Sequence, residues 1–91
     1  MTMERVLHNK NMPARILTDY EYYLRMERAM SPNTVTSYCS AVAKFAQFHK
    51  EPLEKADSEA IANYLSSRGE ISERTQAHIL SSLRNFYDWL L

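Results

Sequence analysis

The stretch Ser31-Pro32-Asn33-Thr34-Val35-Thr36-Ser37-Tyr38-Cys39-Ser40-Ala41-Val42-Ala43-Lys44-Phe45-Ala46-Gln47-Phe48-His49-Lys50 decides the fold class. Ser31 is a helix N-cap, whose hydroxyl can accept a hydrogen bond from an orphan backbone N–H of the first turn. Pro32 then stands at the first helical position, where its missing N–H costs nothing. From there Val35, Tyr38, Val42, Phe45, Ala46 and His49 recur at helical spacing, so a helix running to about Lys50 carries them on one face. Asn33, Thr36, Ser37, Ser40, Lys44 and Gln47 fall on the opposite face, which is polar and free of acid.

Toward the N-terminus, a helix from about Ala14 to Ala29 places Ile16, Leu17, Tyr20, Tyr23, Leu24 and Glu27 on one side, a core stripe with a charge at its edge. Residues 1–13 have no such period and contain Asn9, Asn11 and Pro13, so they are expected to form a flexible arm. Toward the C-terminus, Pro52 closes the decisive helix and Asp57 caps a third, from about Ser58 to Arg68, with Ile61, Tyr64 and Leu65 inward. Gly69 is where such a helix stops. Ser72 caps a fourth helix running to the end of the chain, with Ile79, Leu80, Leu83, Phe86, Tyr87 and Leu90 on one side. Its other side carries Arg74, Ala77, His78, Ser81, Arg84, Asn85 and Asp88. The connections are short, so residues 14–91 are expected to make one helical domain.

Composition agrees with that assignment. A chain of 91 residues makes one small domain that buries about two-thirds of the surface its unfolded form exposes. Hydrophobic residues are 45%, glycine occurs once, and no alternating Val/Ile run is present. The expected class is all-α, a compact bundle of four or five helices. Cys39 is the single cysteine and cannot form an intramolecular disulfide; at its helical position it reads as a small packing residue. No run of about 18 apolar residues exists and no apolar secretory leader precedes the helices, so the expected location is cytoplasmic, with no membrane partner.

Catalytic chemistry would require a nucleophile with its base, paired carboxylates, a metal cluster or a cofactor loop. His8, His49 and His78 have no metal-ligand spacing, and one glycine cannot build a phosphate loop. Asp57/Glu59 and Glu70/Glu73 stand at helix starts, where the helix dipole accounts for them. No catalytic residue, cofactor or metal is assigned. Binding is the better prospect, although formal net charge is zero. The charge is polarised: residues 1–50 hold 7 Lys/Arg against 4 Asp/Glu, a net of +3, and residues 51–91 hold 4 against 7, a net of −3. Such a domain can turn a basic or neutral face to a phosphate backbone.

The run from Leu17 to Thr34, the helix from Val35 to Phe48, and the segment from Ile71 to Leu91 with its Leu83-Arg84-Asn85-Phe86-Tyr87-Asp88-Trp89-Leu90 end occur in an order and spacing that resemble the core-binding domain of tyrosine recombinases. These are the phage-integrase and Xer-like enzymes that cut and rejoin DNA. The resemblance implies a SAM-like domain that closes on duplex DNA with its second and fourth helices against the major groove. It implies backbone positioning by Asn33, Thr34, Ser37, Lys44 and Arg84, with Thr36, Ser40, Arg74, His78 and Ser81 approaching phosphates or base edges. It further implies further copies of the recombinase as partners, four on two paired sites, the isolated domain being monomeric. A bacterial, nucleoid-associated location follows from the same resemblance.

Each residue has a plainer reading. Asn33 and Thr34 can simply cap the first turn, and Lys44 and Arg84 can be ordinary surface charges. Arg74 lies near a helix N-terminus, where a cation is mildly unfavourable and wants another partner. Tyr38, Phe45, Phe86, Tyr87 and Trp89 could stack on bases, yet their helical spacing favours the core. No segment resembles the catalytic domain that carries the tyrosine nucleophile in this family, so the chain reads as a fragment that does not cleave DNA by itself. The alternative is a free-standing helical protein-interaction domain of the SAM or death-domain kind, which would more often expose an apolar patch or complementary charged surfaces.

Overall fold

Three short polar side chains fix where helices begin. In the computed structural model, which describes residues 12–91, Ser31 Oγ accepts from the Thr34 N–H at 3.3 Å, Asp57 Oδ1 from the Ala60 N–H at 2.9 Å, and Ser72 Oγ from the Thr75 N–H at 3.0 Å. The described helices are α1 (Met12–Tyr22), α2 (Pro32–His49), α3 (Ser58–Ser67) and α4 (Glu73–Leu90). A π-helical turn, Tyr23–Glu27, follows α1, and a 3₁₀ turn, Leu53–Lys55, precedes α3. No strand occurs among the described residues, in agreement with the all-α expectation. The arm expected over residues 1–13 falls, for residues 1–11, outside the described residues. Helix α1 takes in Met12 and Pro13, ahead of the Ala14 boundary that the periodicity suggested.

Helix ends follow equally local rules. Lys50 closes α2 in the left-handed region at φ 65°, its N–H reaching the Ala46 carbonyl. Gly69 follows the α3 cap at φ 75°; a Cβ there would meet nothing within 4 Å, so the backbone angle rather than space calls for glycine. The end of the first helix departs from expectation. Instead of continuing as α-helix to Ala29, the chain widens into the π turn, Arg28 N–H bonds the Tyr23 carbonyl at 3.1 Å, and Ala29 turns the chain at φ 52°. The wider turn rotates Glu27 into solvent while Leu24 stays fully buried.

The core lies where the inner stripes meet: Tyr20 and Leu24 from the first helical segment, Val35, Val42 and Phe45 from α2, Tyr64 from α3, and Ile79, Leu83 and Phe86 from α4. Each such side chain contributes about 1.5–3 kcal/mol by leaving water. Aromatic rings bind α1 to α4: Tyr20 meets Phe86 edge-on at 5.1 Å, and Tyr23 stacks on Trp89 at 5.8 Å. Four side chains differ from the helical-wheel expectation or escaped it. Leu53, in the 3₁₀ turn, is fully buried and plugs the bundle. Ser82 is fully buried with its hydroxyl unpartnered. Asn85, expected outward, accepts a hydrogen bond from the Tyr20 phenol at 2.5 Å. Leu80, expected inward, is 39% exposed, because the flank of α4 toward α3 is left open as a groove. No helix among the described residues is long and apolar enough to cross a membrane.

Candidate nucleic-acid interface

With α2's apolar stripe committed to the other helices, its opposite face must stand in solvent, and Asn33, Thr36, Ser37, Ser40 and Lys44 are all exposed there. On α4 the same logic exposes Arg74, Ser81 and Arg84. His78 is half-buried because it leans on α2: its Nε2 lies 2.8 Å from Ser37 Oγ, and its ring meets Tyr38 edge-on at 5.8 Å. The Ser37–His78 hydrogen bond ties the two polar faces into one surface.

Between α2, α4 and the end of α3 runs a groove of about 340 Å³. Thr36, Ser40 and Lys44 form one wall, Thr75 and His78 the other, and Arg68 stands at the α3 end. Ala41, Tyr64 and Ile79 make an apolar floor, and no carboxylate lines the groove. Of the residues singled out in the sequence, Thr36, Ser37, Ser40, Lys44 and His78 are therefore brought together. Thr34 is half-buried at the start of α2, where its N–H and hydroxyl are engaged by Ser31. Asn33 stands exposed beside it. Arg74 and Ser81 are exposed on α4 but line no described groove. Arg84 belongs to a different depression, between α3 and α4, with Asp57 and Asp88 and the apolar residues Ile61, Leu80 and Tyr87.

Charge distribution separates these surfaces. The described ion pairs lie on the first helical segment, Arg15 with Asp19 at 3.6 Å and Arg25 with Glu21 at 3.5 Å. Among the described residues, no carboxylate pairs with Lys44, Arg74 or Arg84 within salt-bridge distance, although Asp57 and Asp88 share the depression that holds Arg84. Arg68 is held otherwise, its guanidinium 5.9 Å over the Tyr64 ring. Sequence reasoning missed Arg68 and Thr75. Arg68 follows Tyr64 by one helical turn, the spacing that lets a guanidinium lie on a ring, which is the signal that could have found it.

Burial favours the protonated form of three side chains, Cys39, Tyr20 and Tyr87. Burial between α1 and α2 pushes the Cys39 thiol up, so it packs as a thiol. Burial also raises the Tyr20 phenol, and raises that of Tyr87 to about 12, so each acts as a hydrogen-bond donor, Tyr87 to the Leu53 carbonyl at 2.7 Å. Among the described residues, no group of three His, Cys, Asp or Glu side chains is placed to hold a metal ion.

Residues 17–91 match the family model described as phage integrase, N-terminal SAM-like domain. A tyrosine recombinase XerC of Leptospira interrogans serovar copenhageni is 39% identical over 75 residues, covering 76% of this chain and 24% of that protein. A tyrosine recombinase XerC of Lacticaseibacillus casei is 32% identical over 78 residues, covering 78% of this chain and 26% of that protein. The chain thus spans about a quarter of the length of these relatives. No solved structure matches it significantly.

Proposed function

Because this chain belongs to the N-terminal SAM-like domain family of phage integrases, we propose that it holds duplex DNA for a tyrosine recombinase of the Xer kind, laying the outer faces of α2 and α4 along the major groove. One observation supports the reading: the acid-free face of α2 joins α4 across a groove whose cations, Lys44 and Arg68, pair with no carboxylate among the described residues. A net charge of zero is no obstacle, because counterions are released by local cations rather than by the total charge. In this reading Asn33, Thr34, Ser37, Lys44 and Arg84 position the backbone, while Thr36, Ser40, Arg74, His78 and Ser81 meet phosphates or base edges. The whole protein breaks and rejoins DNA with further copies of itself, as a tetramer on paired sites. This chain contributes the grip and leaves the nucleophilic tyrosine to another domain.

The test is fluorescence anisotropy of the 91-residue chain on mixed-sequence duplex DNA between about 25 and 200 mM salt, beside a Lys44→Ala/Arg74→Ala double variant. Salt-sensitive binding that weakens in the double variant, with a salt slope shallower by about 0.9 for each lost phosphate contact, is the expected result. Equal binding by both proteins would move the DNA surface elsewhere. Absence of binding at the lowest salt would favour the second reading, a helical protein-interaction domain, for which the apolar depression under the exposed Leu80 is the relevant observation.

A further inference from the structure

We propose that the groove between α2, α4 and the end of α3 seats one phosphodiester of the DNA backbone, with Arg68 as a second cation opposite Lys44. This rests on the DNA-holding reading and adds to it an element, α3, that contact through α2 and α4 alone leaves out.

The groove has the donor set a phosphodiester needs. Lys44 and Arg68 supply positive charge, and Thr36, Ser40 and Thr75 supply hydroxyls that can donate to its oxygens. No carboxylate competes for the cations or repels the ligand. Two other depressions among the described residues lack this combination: the one between α1 and α2 contains Glu21 and no cation, and the one between α3 and α4 offsets Arg84 with Asp57 and Asp88. Two cations and three hydroxyls around one small groove suit the several acceptor oxygens of a phosphate, the contact that positions a protein on duplex DNA.

Arg68 is preorganised for this task. It stands at the α3 cap, just before the turn at Gly69, and its guanidinium lies over the Tyr64 ring, whose own position is fixed by burial against Phe45 at 5.4 Å. A planar guanidinium resting on a ring loses little freedom when its outer N–H groups engage a phosphate. Lys44, rising from α2 on a flexible stem, supplies the adaptable charge opposite.

The experiment compares Arg68→Gln, Arg68→Lys, Lys44→Ala, the Lys44→Ala/Arg68→Gln pair and a remote charge control, Arg15→Gln on α1, in the same anisotropy titrations on duplexes of unrelated sequence. Arg68→Gln is expected to weaken binding about three- to tenfold at 50 mM salt on every duplex, and to make the salt slope shallower by about 0.9. The penalty should therefore shrink about 3.5-fold between 50 and 200 mM salt. Arg68→Lys should recover part of the affinity. The pair should lose less than the product of the single losses, because both cations serve one phosphate. Circular dichroism should match the wild type, and the melt should fall by no more than a few degrees, the cost of losing the exposed contact with the Tyr64 ring. Wild-type binding with an unchanged Arg68→Gln slope, an equal loss in Arg15→Gln, or strictly multiplicative losses in the pair would each overturn the pocket and leave the DNA-holding reading in place. A wild-type chain that binds no DNA would overturn both.

Discussion

Ser82 shows how a single atom can run against its surroundings. Its hydroxyl is fully buried in α4 beside Leu83 and finds no partner, a state that costs about 1–3 kcal/mol when water is excluded. Ser82→Ala removes the orphan and raises helix propensity, so the variant should be more stable by about 1 kcal/mol and melt about 4–8 °C higher. A lower melting temperature would mean that the hydroxyl is satisfied in solution. Positions 82 and 85 also mark where residue-level reading stopped. The periodicity puts Asn85 outward, but the Tyr20 phenol draws it in; it assigns no side to Ser82, which the depth of the α4 stripe buries. Nothing along the chain reveals which phenol will face which amide. The Tyr64–Arg68 spacing is readable along the chain, but which groove Arg68 borders depends on the helices that flank the α3 end.

At the scale of elements, local chemistry was largely sufficient. The caps Ser31, Asp57 and Ser72 and the stop at Gly69 were readable because each acts within four residues of its own position. The π turn after α1 was not; within it Tyr23 stacks against Trp89 of α4, a contact between segments far apart in sequence. The connection from α2 to α3 is likewise tertiary, with the buried Leu53 held by the Tyr87 phenol bonding its carbonyl. Burial raises that phenol from 10.0 to about 12 in the folded chain, so folding favours the protonated form. The resulting stabilisation is fully present below pH 10 and is lost as pH rises from 10 to 12. Urea midpoints taken across that range should fall, and Tyr87→Phe should flatten part of the slope, Tyr20 supplying the rest in the same direction. An unchanged slope in Tyr87→Phe would show that the bond is already broken in solution.

For the whole molecule, one small core carries everything. Phe86 is fully buried among Tyr20, Tyr87 and Trp89, with ring centroids at 5.1, 4.9 and 5.8 Å. Phe86→Ala should cost about 3–5 kcal/mol, a large share of the roughly 5–15 kcal/mol that holds a domain folded. Circular dichroism of that variant should show a strongly lowered or absent thermal transition, and an undiminished one would place the core elsewhere. The same core gathers the candidate interface, because burying the stripes of α2 and α4 against each other forces their polar faces to flank one groove. The helical class, the three capped starts and the acid-free face of α2 are legible along the chain, since capping and periodicity act over a few neighbouring residues. That His78 bonds Ser37, that Arg68 lines the groove and that Arg84 lies in another emerge only once the helices are packed. Those outcomes depend on how helices distant in sequence cross and pack, a geometry set by the fit of many side chains at once rather than by any local pattern.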